Sequence, residues 1–169
     1  GVPREEARRR AAEALGAARK TRLAESALKG GGDPARGEAV FRGKKVDCAR
    51  CHTVKGAGGK VGPDLTQIAA KYGRDHFAES VLYPSRKLSQ GFQGLAIITK
   101  DERVLSGIVA SETPDKLVLV GSDAQPIDVP KNEIAERHPQ SVSLMPDGQE
   151  NALTDEEFQD LMAFLETLK

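Results

Sequence analysis

Both cysteines of the chain fall within five residues, Cys48-Ala49-Arg50-Cys51-His52. No other feature restricts the fold as much. Two thiols three positions apart, followed at once by an imidazole, suit a short menu of chemistries. A zinc site needs four ligands, usually including a second Cys or His pair. The other histidines, His76 and His138, do not form a ligand pair. A thioredoxin-type dithiol sits near a βαβ pattern, whereas the strand-like stretches here come much later. A structural disulfide or a free dithiol is the plainest alternative. Covalent haem attachment uses all three side chains: the thiols add across two vinyl groups and His52 becomes an axial ligand. C-x-x-C-H is a specific signature for it.

The chain has 169 residues, enough for one domain or one domain carrying an insertion. Its 38% apolar content, 4% aromatic content and lack of Trp are lean for a packed core, because aromatics usually carry much buried area. A haem, large and flat, would replace the missing aromatics. The stretch 43–66 holds Gly43, Gly56, Gly58, Gly59, Gly62 and Pro63 and reads as a long loop. Such loops inside compact domains are commonly functional, and glycine permits close backbone approach, so this one would wrap the ring. The net charge is zero, against a nucleic-acid binder. By segment the charge is +4 over 1–36, +5 over 37–91, −3 over 92–138 and −6 over 139–169, a reason to expect distinct modules. No apolar run is long enough to span a membrane, and the charged N-terminus has no secretory h-region.

Periodicity divides the rest. Residues 4–29 are rich in Ala, Arg and Glu and read as helix, with Leu15, Leu23 and Leu28 its only large apolar residues. Gly30-Gly31-Gly32 ends it, and Asp33-Pro34 starts a second helix over about 34–42. Residues 66–82 read as helix in two pieces broken near Gly73. Then the period changes. Phe92–Thr99, Val104–Glu112, Lys116–Gly121 and Ile127–Pro130 read as an antiparallel meander, with Ile134–His138 as a candidate fifth strand. Apolar residues at successive positions suggest a first strand buried on both faces, as in a small barrel. Residues 139–152 are loop. Thr154 and Glu157 form a capping box for a last helix, whose Phe158, Leu161, Met162, Leu165 and Leu168 keep helical spacing.

The motifs Gly37-x-x-x-Phe41, Cys48-x-x-Cys51-His52, Gly62-Pro63-x-Leu65, Met145-Pro146 and Leu161-Met162-Ala163-Phe164-Leu165 together resemble a class I c-type cytochrome. The chain is similar, more specifically, to the haem-binding domain of planctomycete and verrucomicrobial proteins, in which a β insert precedes a segment like Ser143-Leu144-Met145-Pro146. The resemblance spans about 34–169. It implies a mainly α fold around one covalent haem c, with an N-terminal helical extension (1–33), a cytochrome part in two pieces (34–90 and 139–169) and an inserted antiparallel β domain (91–138), barrel-like or a meander. It further implies that residues 1–30 are the tail of a preceding helical region and that the chain is cut from a longer protein. The carbonyl of Pro63 would accept a hydrogen bond from His52, Leu65 would pack on the haem face, and Gly37 and Phe41 would cross the last helix near Leu161 and Phe164.

A six-coordinate haem needs a ligand opposite His52, commonly Met or His. Met162 belongs to the apolar stripe of the last helix and reads as core. Met145 lies in a loop with no stripe to join and is the expected ligand; His76 and His138, read as surface residues, are the alternatives. With both axial positions filled the iron has no open site, so the expected function is one-electron transfer rather than enzyme catalysis. The partner would be a redox protein or a fused dehydrogenase domain. Lys44, Lys45, Arg50, Lys55 and Lys60 either steer an acidic partner or form an ordinary solvated face. Displacement of Met145 would instead make a sensor or a peroxidase-like domain, and the β block could be a docking module. Attachment of haem c takes place outside the cytoplasm, so the resemblance implies a periplasmic or otherwise exported setting.

Overall fold

The computed structural model describes residues 3–169. Helix α1 spans Arg4–Leu28, and only its C-terminal turns are docked: Leu23 and Ala27 are buried, while Leu15 is 72% exposed. Those turns pack on helices α4 (Arg74–Leu82) and α5 (Asp155–Glu166). Helix α2 (Pro34–Arg42) starts as its sequence predicts. The Asp33 carboxylate accepts the Arg36 N–H, and Pro34 occupies the first turn, where its missing donor costs nothing. The capping box of α5 also forms, with Thr154 Oγ1 accepting from the Glu157 N–H and the Glu157 carboxylate accepting from the Thr154 N–H.

Helices α2 and α5 cross at Gly37. A Cβ there would overlap the Asp160 carbonyl and lie 2.7 Å from Phe164 Cβ. The backbones can approach this closely only because residue 37 has no side chain. One turn further on, the Phe41 and Phe164 rings pack with centroids 5.4 Å apart and planes tilted by 55°. Together with Phe77, Leu82, Phe158, Leu161, Met162 and Leu168 they form the helical core. Met162 is fully buried, as its place on the apolar stripe predicts.

The stretch expected to be a plain loop has structure of its own. It holds helix α3 (Cys48–Cys51) and a two-stranded ribbon of β1 (Thr53–Val54) and β2 (Ala57–Gly58). The ribbon turns at Lys55-Gly56, both left-handed with φ of 51° and 80°, the conformation of a tight I′ hairpin. The helix expected over 66–82 is also shorter. Only a 3-10 turn, Ile68–Ala70, precedes α4, and Gly73 stands as an extended N-cap between them.

The β block is a five-stranded antiparallel sheet of β3 (Leu95–Thr99), β4 (Val104–Glu112), β5 (Lys116–Val120), β6 (Pro126–Pro130) and β7 (Ile134–Pro139), in spatial order β6-β5-β4-β3-β7. The fifth strand does join. β3 starts at Leu95, later than the predicted Phe92, and Ile97 and Thr99 are buried while Ala96 and Ile98 are half-buried. The barrel reading is not met: the sheet is open, with β6 and β7 at its edges. Pro126 and Pro130 bound β6 and Pro139 ends β7, and proline gives no N–H to a ladder. Ile97, Leu117, Leu119 and Val129 make a second apolar cluster beside the helical one. The sheet leaves and rejoins the helical part through neighbouring strands, for Leu95 pairs with Pro139 and the Gln140 N–H donates to the Gly94 carbonyl at 2.8 Å.

Candidate functional site

Cys48 and Cys51 lie three positions apart on the single turn of α3, which puts both thiols on one face. Asp47 caps the turn in the left-handed conformation, and the His52 N–H returns to the Cys48 carbonyl at 2.9 Å. Gly58, Gly59 and Gly62 lie close against this turn. A Cβ on Gly59 would lie 2.6 Å from the Arg50 carbonyl carbon, and one on Gly62 would lie 2.8 Å from Nδ1 and 2.9 Å from Nε2 of His52. Backbone bonds from Gly59 to Ala49 (2.9 Å) and from Gly62 to Cys51 (2.8 Å) hold them there.

His52 Nδ1 lies 2.7 Å from the Pro63 carbonyl oxygen. A carbonyl can only accept, so Nδ1 carries the proton and Nε2 keeps a free lone pair. Burial pushes the imidazole pKa below its ordinary value, opposed by the bond to Pro63, so the ring is neutral near pH 7. Burial also pushes the Cys48 thiol up to about 12, with the nearby Asp47 charge adding to it. Cys51 is pushed up by burial as well, against the opposing pull of Arg50. Both sulfurs of the free chain therefore favour the S–H form. Among the described residues, no group of three or more His, Cys, Asp or Glu is placed to hold a metal ion.

Met145 comes from the far side of the sheet. It is half-buried against the helical core, and so are Val46, Cys48, Ala49, Leu65, Ile68 and Tyr83. Leu65 is anchored by its N–H to the Thr53 carbonyl at 2.9 Å. The loop of Met145 is tied down at several points. Its N–H donates to Ser143 Oγ at 3.1 Å, and the Ser143 N–H donates to Ser85 Oγ at 2.9 Å. Lys20 Nζ donates to the Leu82 carbonyl at 2.7 Å and to Asp147 Oδ1 at 2.6 Å. These supports were not foreseen. Ser143 belongs to the Ser-Leu-Met-Pro segment, whereas Lys20 carries no sequence signal because its partners lie far along the chain. His76 is half-buried and stacks on Tyr72 with centroids 3.8 Å apart. His138 lies exposed on β7 beside Glu136 at 2.6 Å.

The residues present fit a haem. Two protonated thiols, a neutral imidazole with a free Nε2, a thioether and a set of half-covered apolar side chains are the donors and lining such a group needs. That combination is compatible with covalent attachment of a haem. The segment bearing the motif matches a family model accordingly: residues 34–96 are similar to the family Cytochrome c. The family implies covalently bound haem c, and Cys48 and Cys51 fit its attachment motif. The match takes in His52, Pro63 and Leu65 and stops inside β3, so Met145 lies outside it. No curated protein matches the chain.

Proposed function

We propose that the chain is a one-electron carrier in which His52 and Met145 bind the two axial positions of haem c. The observation that carries this reading is the His52–Pro63 hydrogen bond, which presents a neutral Nε2 and makes it a better donor. Cys48 and Cys51 would hold the haem covalently through thioether bonds. When bound, the haem supplies reversible one-electron oxidation and reduction of its iron. The protein's residues supply the rest. Gly62 and Pro63 fix the ring of His52, Leu65 and Ile68 exclude water, and Met145 favours the reduced state relative to a second histidine. With both positions filled there is no open site for a substrate, which makes the chain a carrier and not an enzyme.

The subgroup with a β insert is the one this chain fits, and cytochrome c domains are typically exported or periplasmic, the setting proposed here. Its partner is a redox protein with an acidic face, or a dehydrogenase domain of the same polypeptide. Support comes from Lys44, Lys55 and Lys60, which are exposed and, among the described residues, have no carboxylate within ion-pairing distance. Protein produced in a host that attaches haem c should weigh one haem more than its polypeptide and give a pyridine haemochrome spectrum of the thioether type. Cys48→Ala with Cys51→Ala should abolish both. Met145→Ala should lower the potential and admit carbon monoxide to the reduced protein. A product with the bare polypeptide mass defeats the haem reading, and an unchanged Met145→Ala spectrum defeats the ligand assignment. Rapid carbon monoxide binding to the unaltered protein would favour the sensor reading.

A further inference from the structure

We propose that Lys20 of helix α1 is the positioning residue for Met145, tying the segment after the β sheet to the end of α4 so that the thioether is held in place. The inference rests on the reading of Met145 as an axial ligand.

An ammonium has three donors, and two of those of Lys20 are taken by acceptors from either side of the insert, with a carboxylate close to the third. The Leu82 carbonyl, at the end of α4, lies 2.7 Å away and belongs to the last turn, whose carbonyls have no partner within the helix. Asp147 Oδ1, two residues past Met145, lies 2.6 Å away, and Glu150 Oε1 lies 3.6 Å away. The Tyr83 ring lies beneath the ammonium, its centroid 5.1 Å from Nζ. The Lys20 side chain is only 16% exposed, so the ammonium is largely covered although Asp147 itself faces solvent.

Glu150 makes the arrangement hard to do without. It is one of three polar side chains buried among the described residues, and its Oε2 has no hydrogen-bond partner. Without Lys20 its carboxyl oxygens would lose the cation recorded within ion-pairing distance of them, and a segment carrying such a buried group rearranges to reach water. Its neighbour Arg19 donates to the Glu150 and Leu153 carbonyls at 2.7 and 2.8 Å, further along the chain. Arg19 therefore docks α1, whereas Lys20 alone reaches the Met145–Asp147 turn.

The test uses the whole haem-loaded chain. Met–iron bonding is read from the long-wavelength sulfur-to-ferric-iron absorption band, together with the midpoint potential and the thermal unfolding midpoint. Lys20→Met should lose most of the band and lower the potential, and Lys20→Arg should restore much of both. Asp147→Asn, at an exposed position, should weaken the band with helix content unchanged, and it decides the matter if Lys20→Met does not fold. Arg22→Gln removes a charge from the same helix but touches only Asp155, and should leave the band intact. A band that survives both Lys20→Met and Asp147→Asn, in protein where Met145→Ala abolishes it, overturns the role of Lys20 while leaving the ligand assignment standing. A band absent from the unaltered protein overturns both.

Discussion

At Gly62 the imidazole of His52 lies against bare backbone. A Cβ there would sit under 3 Å from both ring nitrogens, and neither the ring, tied to Pro63, nor the turn, tied to Cys51, can give way cheaply. Gly62→Ala should therefore act on the iron rather than on the fold. The expected result is a shifted potential and increased high-spin character, with unfolding changed by no more than about 1–2 kcal/mol. Equal spectra for the two proteins would show that the ring is not confined here. The attachment motif of Cys48, Cys51 and His52 was legible because reactive side chains and their spacing are local properties. The sequence did not show what holds them. Gly62 was legible as part of a loop, but its contact with His52 depends on how that loop folds back.

Among the elements, the crossing of α2 and α5 sets the geometry of the helical part, and Asp160 lies at its centre. Its carboxylate accepts from the Asp33 N–H at 2.6 Å and from Arg36 Nε at 2.8 Å. Hydrogen bonding from Arg36 holds it below the ordinary carboxylate value of 3.8. Because the folded value is depressed, this contribution is complete above the ordinary value and disappears as pH falls through the lowered one, so stability should drop below about pH 4. Asp160→Asn should cost about 2 kcal/mol at pH 7 and flatten the acid limb of a plot of stability against pH, measured by urea unfolding. The half-exposed Arg36 keeps the cost modest. Gly37→Ala should cost more, about 3 kcal/mol, because the clash is with backbone that cannot rotate away; unfolding at the parent urea midpoint would contradict the close crossing. The helices were legible where caps marked them, at Asp33-Pro34 and at Thr154 with Glu157. The β1–β2 ribbon was not, since two-residue strands show no period.

Across the whole molecule, the charge blocks pair with one another. The basic N-terminal segment and the acidic C-terminal one read as separate modules in the sequence, but they are packed together. Arg19 and Arg22 meet Asp155, Arg36 meets Glu156 and Asp160, and Lys45 meets Glu157. A sum along the chain cannot show which opposite charges meet in the fold. Lys44, Lys55 and Lys60, close to the attachment turn in sequence, are exposed and are among the cations with no carboxylate within ion-pairing distance among the described residues. Oxidation of the reduced protein by the hexacyanoferrate(III) anion should therefore slow as salt is raised, and oxidation by a hexaammine cation should not. Rates independent of salt with both reagents would remove the steering role.

The neighbouring stems of the sheet also bear on the order in which the molecule comes together. His52 and Met145 are separated by roughly 90 residues, a long span to close by chance collision. The register of β3 with β7 holds residue 94 next to residue 140, so a sheet that closed first would bring the two stems together. The span left to close is then roughly half as long, which eases closure by about 0.6 kcal/mol. A sheet assembled early would thus act as an internal splint, delivering the late-made half of the molecule to the earlier one.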